Sequence, residues 1–371
     1  MKYDLINDTI HSKLKATTAL SENSKTEIRY DALVFIGRFQ PFHLGHKAVV
    51  DAALKLAKEV ILVLGSSFSA RNTRNPFTFE ERKSMIKAVY PQDNVKVVPV
   101  CDYPYDDNKW VAAVQSVVFS AMKYSPDPLR IGLIGHEKDG TSFYLKIFPT
   151  WGSESVANVD GIDATPIRET IFEHGPYRGV ELFMCDTMPA ESADILDDIV
   201  REWAHEEFAT LFVEYSMIQQ YKESWKSAPY APTFVTTDAV VVQSGHILLV
   251  KRKHAPGIGL WALPGGFLNP GERLEAGALR ELKEETKIKV PVPVLRGSIR
   301  ASKTFDDPFR STRGRTITTA FFIDLGFDKT LPKVKGSDDA ELARWVPFNE
   351  VDRTQMFEDH FAIVDNFINI G

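Results

Sequence analysis

Hydrophobic residues in the first part of the chain come as short runs, unbroken at Ala32 to Ile36 and Val60 to Leu64 and interrupted by single polar, proline or glycine residues at Val95 to Cys101 and Leu129 to Ile134. Runs of this kind, bounded by glycine or polar residues, suit strands buried on both faces. Between the first two, Ala48, Val49, Ala53, Leu54 and Ala57 repeat at helical spacing and form one apolar face. A strand, a helix and a strand in that order require a right-handed crossover and a parallel sheet. Farther on, Leu196, Ile199, Trp203, Leu211, Tyr215, Ile218 and Trp225 fall near helical spacing, which predicts one or two amphipathic helices whose aromatic residues pack against both neighbours. After Ala228-Pro-Tyr-Ala-Pro232 the pattern changes again. Ala239 to Val242, the turn Ser244-Gly245 and Ile247 to Val250 read as a β-hairpin.

The pattern predicts an α/β chain in four parts. A polar arm (1–29) precedes a Rossmann-like domain with a parallel sheet (30–185), a helical connector (186–232) and a C-terminal α+β domain (233–371). The arm is rich in Ser, Thr, Asn and Lys and reads as loosely ordered. A chain of 371 residues is long enough for two domains with their own cores. The net charge of −6 gives no sign of a nucleic-acid-binding surface. No apolar run is long enough to span a bilayer, and the N-terminus lacks a signal-peptide core. Cys101 and Cys185, far apart, read as reduced thiols. The expectation is a cytoplasmic protein acting on small molecules, without nucleic-acid or membrane partners; a homo-oligomer is compatible with the sequence but not specified by it.

Candidate chemistry begins where the first run stops. Gly37-Arg38-Phe39-Gln40-Pro41-Phe42-His43-Leu44-Gly45-His46 leads into the first helix and sets His43 and His46 at its start. Free N–H groups and a partial positive charge make that position favourable for anions. A second loop carries Arg71, Arg74 and Asn75 toward the same end of the sheet, and Thr78 with Glu81 forms a capping box for the next helix. Trp110 opens a third helix, a place that suits a core residue as well as a ligand contact. Gly135-His136-Glu137-Lys138-Asp139 follows the fourth run, and His136 there suits either a ligand or a solvated loop. Thr165 reads as an N-cap, Pro166 as the first helical residue, and Arg168 as an anion contact from the first turn.

These stretches resemble a known family. The HxGH wording from His43 to His46 is that of the nucleotidylyltransferases, and the longer stretch from Gly37, with the Arg71 to Arg82 loop, is similar to the nicotinamide mononucleotide adenylyltransferase branch. Ile162 to Arg168 resembles that family's ISxTxxR pattern, with Asp163-Ala164 where two serines are common. The resemblance implies that His43, His46 and Arg168 position ATP and stabilise charge at its α-phosphate, with Mg²⁺ bridging the phosphates. It further implies an ATP and mononucleotide site formed by Gly37, Arg38, Phe39, Gln40, Arg71, Asn75, Trp110, Gly135, His136, Asp139 and Thr165, with Trp110 stacked on the nicotinamide ring.

The second domain carries its own motif. From Gly266 the order is Gly-x5-Glu272-x7-Arg280-Glu281-Leu282-Lys283-Glu284-Glu285, after Leu260-Trp-Ala-Leu-Pro-Gly. Glu281, Glu284 and Glu285 share one helix face at i, i+3 and i+4. Carboxylates so crowded repel one another unless a divalent cation lies among them, and oxygen ligands suit Mg²⁺ or Mn²⁺. This resembles the Nudix box, with Gly266, Glu272 and Arg280 in structural or substrate-holding places and Glu281, Glu284 and Glu285 as metal and catalytic residues. Lys287 stands where the box usually has glycine; a left-handed position there costs a non-glycine residue about 1 kcal/mol. Phe305 to Thr318, Ser337 to Ala340 and Phe357-Glu-Asp-His360 resemble the ADP-ribose pyrophosphatase subgroup, without revealing the base.

From Tyr30 onward the chain resembles the bifunctional nicotinamide mononucleotide adenylyltransferase/Nudix hydrolases. The implied reactions are adenylyl transfer from ATP to the mononucleotide, giving NAD and pyrophosphate, and metal-dependent hydrolysis of ADP-ribose to AMP and ribose 5-phosphate. Two alternatives stay open: a Nudix domain that senses NAD or ADP-ribose without cleaving it, and a first domain serving another mononucleotide acceptor.

Overall fold

The computed structural model describes residues 27–122, 128–136, 147–157, 162–174, 186–202, 207–336 and 340–370. Most of the polar arm, Asp139, Cys185, Trp203 and residues 337–339 lie outside them.

The first domain is built on a five-stranded sheet, parallel throughout: β1 (Tyr30–Gly37), β2 (Ala57–Leu64), β3 (Val95–Pro99), β4 (Ile131–His136) and β5 (Gly152–Val156), in the order β3-β2-β1-β4-β5. Helices α1 (Leu44–Leu54), α2 (Phe79–Val89), α3 (Asp107–Ala121) and α4 (Ala164–His174) complete it. Alternation along the strands divides the apolar runs between two cores. Leu33, Phe35, Val60 and Leu62 face one layer, and Ala32, Val34, Ile61 and Val63 face the other, against Val114 and Val118 of α3. From β1 the chain runs outward to β2 and β3, then returns to the opposite side for β4. The carboxyl ends of β1 and β4 therefore flank a topological switch point, where ligands of such sheets bind. β5 escapes the sequence pattern because Gly152-Ser-Glu-Ser-Val156 is polar; the Tyr30 hydroxyl donates to Glu154 at 2.8 Å and helps hold it.

The connector forms α5 (Ala190–Glu202) and α6 (Glu207–Ser224). Leu196, Val200 and Leu211 are buried in the first domain's core, and Tyr215 stacks on Phe172 with centroids 5.1 Å apart. The connector also meets the second domain: Glu214 Oε1, midway along α6, accepts from the Gly257 N–H at 2.6 Å, and beyond the helix Trp225 lies against Phe234 at 5.3 Å. The sequence expectation of helices packed on both neighbours holds for these residues.

The second domain is a mixed sheet of β6 (Phe234–Gln243), β7 (His246–Arg252), β8 (Trp261–Ala262), β9 (Gly265–Phe267), β10 (Ile299–Phe305), β11 (Thr316–Asp324) and β12 (Ala340–Pro347). The central order is β10-β11-β6-β7-β12, with β8 on β7 and β9 on β6; β6 and β11 run parallel. The predicted hairpin is β6–β7, turned by Ser244 and Gly245 at φ 49 and 77. Ala239 and Val241 face α7 (Leu274–Thr286), while Val240 and Val242 face α9 (His360–Ile368); α8 (Val292–Gly297) packs beside α7. Among the described residues no helix is long and apolar enough to cross a membrane.

Candidate active sites

His43 is the N-cap of α1, and its backbone N–H donates to His46 Nδ1 at 3.3 Å. In a neutral ring that leaves the proton of His46 on Nε2. The two imidazoles stack, 3.6 Å apart at 25°, and Phe39 and Phe42 pack on His46 at 4.7 and 5.7 Å. Phe39, expected to touch ligand, is 1 % exposed and turned into the core at a left-handed φ of 51. Gln40 is likewise turned inward. Its amide donates to Phe77 O at 2.8 Å and accepts from Phe77 N–H at 2.9 Å, which joins two loops rather than contacting solvent.

Arg168 is buried; it donates to Gln40 O at 2.7 Å and to the Thr165 hydroxyl at 3.1 Å. Burial and the neighbouring guanidinium of Arg38 push its pKa down to about 10. Arg74 is lowered by burial and by Arg38, and Arg38 by burial. Three desolvated guanidinia that oppose one another form a site suited to several negative charges. Arg71 has another partner: it forms a two-pronged pair with Glu81, at 2.6 and 2.9 Å, and donates to Pro76 O at 2.7 Å. The Thr78–Glu81 capping box forms as expected. Helix α4 starts a residue before the expected cap, with Asp163 accepting from Thr165 N–H at 2.6 Å, which leaves the Thr165 hydroxyl for Arg168.

Trp110 is the fourth residue of α3, edge-on to Phe148 at 5.9 Å, and lines a cleft of about 770 Å³ together with Arg38, Ser66, Asn75 and Asp102. His43, His46 and Arg168 lie outside that lining. Gly135 is buried in β4, and His136 at its end places Nδ1 3.2 Å from Val156 O. Sequence reasoning missed two residues here. Arg82, without measurable exposure, donates to Arg38 O at 2.6 Å and Gly65 O at 2.8 Å, pinning the loops after β1 and β2. Asp102 accepts from both the N–H and the hydroxyl of Ser66. A charged residue on the buried side of α2 was the available signal for the first; the second had none.

In the second domain, Glu285 Oε2 accepts from Gly265 N–H at 3.0 Å across the turn between β9 and α7. Burial, then Glu281 and Asp238, push Glu285 up to about 8, and burial raises Glu281 too. Gly266 leaves room for Glu281: a Cβ there would stand 2.6 Å from Glu281 Oε1 and displace the carboxylate. Arg280 is a hub, bonding Glu272 at 2.9 and 3.0 Å, Glu281 at 2.8 Å and Glu284 at 3.0 Å. The expected three-carboxylate set is therefore not assembled. Glu284 is half-exposed and drawn to Arg280, and among the described residues no group of three metal-ligating side chains is in place. The remaining donors still fit a divalent cation, since Glu281 and Glu285 offer hard oxygens and burial, which raises both, disfavours their charge until a cation offsets it. Lys287 takes the left-handed position at φ 47, as its place in the motif predicted.

Behind Glu285 lies buried charge that motif reading largely overlooked. Asp238, pushed up to about 6 by burial, accepts from the Thr318 hydroxyl. Arg310 pairs with Asp359 twice, at 2.9 Å each. Glu358, raised by burial, sits at a left-handed φ of 44 and accepts from Thr312 N–H at 3.1 Å.

A cytidylyltransferase-like family model matches residues 34–122, and a NUDIX domain model matches residues 232–367. A nicotinamide/nicotinic acid mononucleotide adenylyltransferase of Acinetobacter baylyi is 42% identical over 149 residues, covering 39% of this chain and 77% of that protein. The crystal structure of a bifunctional NMN adenylyltransferase/ADP ribose pyrophosphatase of Francisella tularensis superposes with a TM-score of 0.84 at 35% identity, over 92% of this chain and 100% of that one. The chain belongs to this bifunctional family. A second Francisella tularensis structure of the same description, in complex with AMP and a manganese ion, matches at 33% identity with a TM-score of 0.82, over 92% of this chain and 100% of that one. Family membership accounts for the two domains in one chain, in this order.

Proposed function

We propose that the chain is a cytoplasmic enzyme of NAD metabolism with two activities, divided as 30–185, 186–232 and 233–371. In the first, the 5′-phosphate oxygen of nicotinamide mononucleotide attacks the α-phosphorus of ATP and the bond to pyrophosphate breaks. His46 Nε2–H, His43 and Arg168 hold the triphosphate and the charge that develops on it, with Arg38 and Arg74 adding field. Trp110 offers its face to the cationic pyridinium. In the second, water attacks a phosphorus of ADP-ribose, and AMP and ribose 5-phosphate leave. Glu281 and Glu285 would hold Mg²⁺ or Mn²⁺, which supplies charge neutralisation and a more acidic water. Glu272 and Arg280 keep the turn and helix in register.

The observation that carries this reading is the pairing, in one chain, of buried arginines at a sheet switch point with two carboxylates of helix α7 closed against the Gly265-Gly266 turn. The manganese ion and AMP named in the Francisella complex support a divalent cation in this chemistry. The Acinetobacter relative's name joins two mononucleotides, so the acceptor of this chain is to be measured with both. Arg280's hold on Glu281 and Glu284 favours a second reading in which the Nudix domain only senses its nucleotide. Product analysis separates them. Mononucleotide, ATP and Mg²⁺ should give NAD, and ADP-ribose with Mg²⁺ or Mn²⁺ should give AMP; intact ADP-ribose would leave the sensor.

A further inference from the structure

The cleft beside Trp110 does not belong to the first domain alone. Its opposite wall carries Phe309, Arg353 and Phe361 of the second domain, and its volume of about 770 Å³ suits a nucleotide. Arg353 reaches across the boundary: Nη1 donates to Asp102 O at 3.0 Å, and the guanidinium lies 5.2 Å from the Tyr103 ring and 4.3 Å from the Phe361 ring. Asp102 in turn holds Ser66 through both its N–H and its hydroxyl. A residue of the second domain thus fixes the main chain from which the loop after β2 is anchored. Arg74 makes the reverse contact, donating to Phe309 O at 3.0 Å with its guanidinium 4.4 Å over the Phe309 ring.

We propose that the second domain forms one wall of the mononucleotide-acceptor pocket of the first, with Arg353 and Phe309 as positioning residues for adenylyl transfer. The reading rests on the proposed synthesis of NAD. The acceptor end, rather than the ATP end, is assigned because Trp110 lines the cleft while His43, His46 and Arg168 do not. Aromatic faces with guanidinia between them are also the chemistry that a pyridinium ring and a monophosphate require. Chemistry at the two centres is separate; the architecture of one pocket is shared.

The test uses the full chain. Arg353→Met should raise the KM for nicotinamide mononucleotide about tenfold, the scale of one lost charge-assisted hydrogen bond. The KM for ATP, AMP release from ADP-ribose and the melting temperature should stay close to those of the parent. Arg353→Lys, which keeps a donor, should recover part of the loss. Phe309→Ser, at a position 64 % exposed and therefore safe for folding, should raise the same KM about threefold. An unchanged mononucleotide KM in both Arg353→Met and Phe309→Ser overturns the proposal. So does a parallel fall in ATP use and ADP-ribose hydrolysis, which marks a general structural role. Failure of the parent protein to make NAD would instead overturn the reading on which the proposal rests, and it is seen before any variant is made.

Discussion

The two sites meet the same chemical group, a pyrophosphate linkage, with opposite charge. The first domain gathers Arg38, Arg74 and Arg168 at the end of a parallel sheet and desolvates them, and Arg38 lowers the other two further. The second gathers Glu281, Glu285 and Asp238 and raises them by burial. The first offers a polyphosphate fixed positive side chains, in addition to any Mg²⁺ that ATP brings. The second offers it carboxylates, which suit a phosphate only with a divalent cation between them. The two sites therefore differ in how much of the positive charge is built into the chain and how much is left to an exchangeable ion.

The comparison breaks most visibly at its centres. His46→Ala should lower adenylyl transfer by about a thousandfold and leave AMP release from ADP-ribose intact, as read by product chromatography. Glu285→Gln should do the converse to a similar extent. Loss of both activities in either variant would show that the chemistry is not separate. Gly266→Ala comes next. A Cβ 2.6 Å from Glu281 Oε1 must displace that carboxylate, and hydrolysis should fall about tenfold or more while NAD formation is unchanged.

A smaller effect follows pH. Burial holds a proton on Glu285 up to about 8, whereas its ordinary value is 4.5. Between those values the folded chain binds more protons than the unfolded one, so stability without divalent cation should fall as pH rises. Thermal unfolding with Mn²⁺ should flatten that slope, because the cation favours the ionised carboxylate; a slope unaffected by Mn²⁺ would place the ion elsewhere. Smallest of all, Lys287→Gly should gain about 1 kcal/mol by relieving the left-handed backbone and should alter neither activity.

Much of this was legible in residue order. Apolar runs located β1 to β4, most plainly β1, β2 and β4, whose centres are buried on both faces, and the capping box and the glycine-to-glutamate spacing located the sites. What the order concealed has physical causes. β5 is a polar edge strand held by Tyr30 and Arg29 from elsewhere in the chain. Phe39 and Gln40 have the wording of ligand residues but serve the packing between loops. The set Glu281, Glu284 and Glu285 is correctly spaced, yet Arg280 competes for two of its members. Asp238, Asp102 and Arg353 matter only through partners distant in sequence, and spacing along the chain carries no record of those.

The connector has a consequence for supply. Tyr215 is stacked on Phe172 of the first domain, and ten residues later in the same stretch of chain Trp225 leans on Phe234 of the second. A synthesiser and a degrader stitched in this way are always made in equal number. A cell holding this chain cannot shift the balance between them by transcribing one more than the other; it has only the concentrations of their substrates and ions with which to favour one end of the molecule.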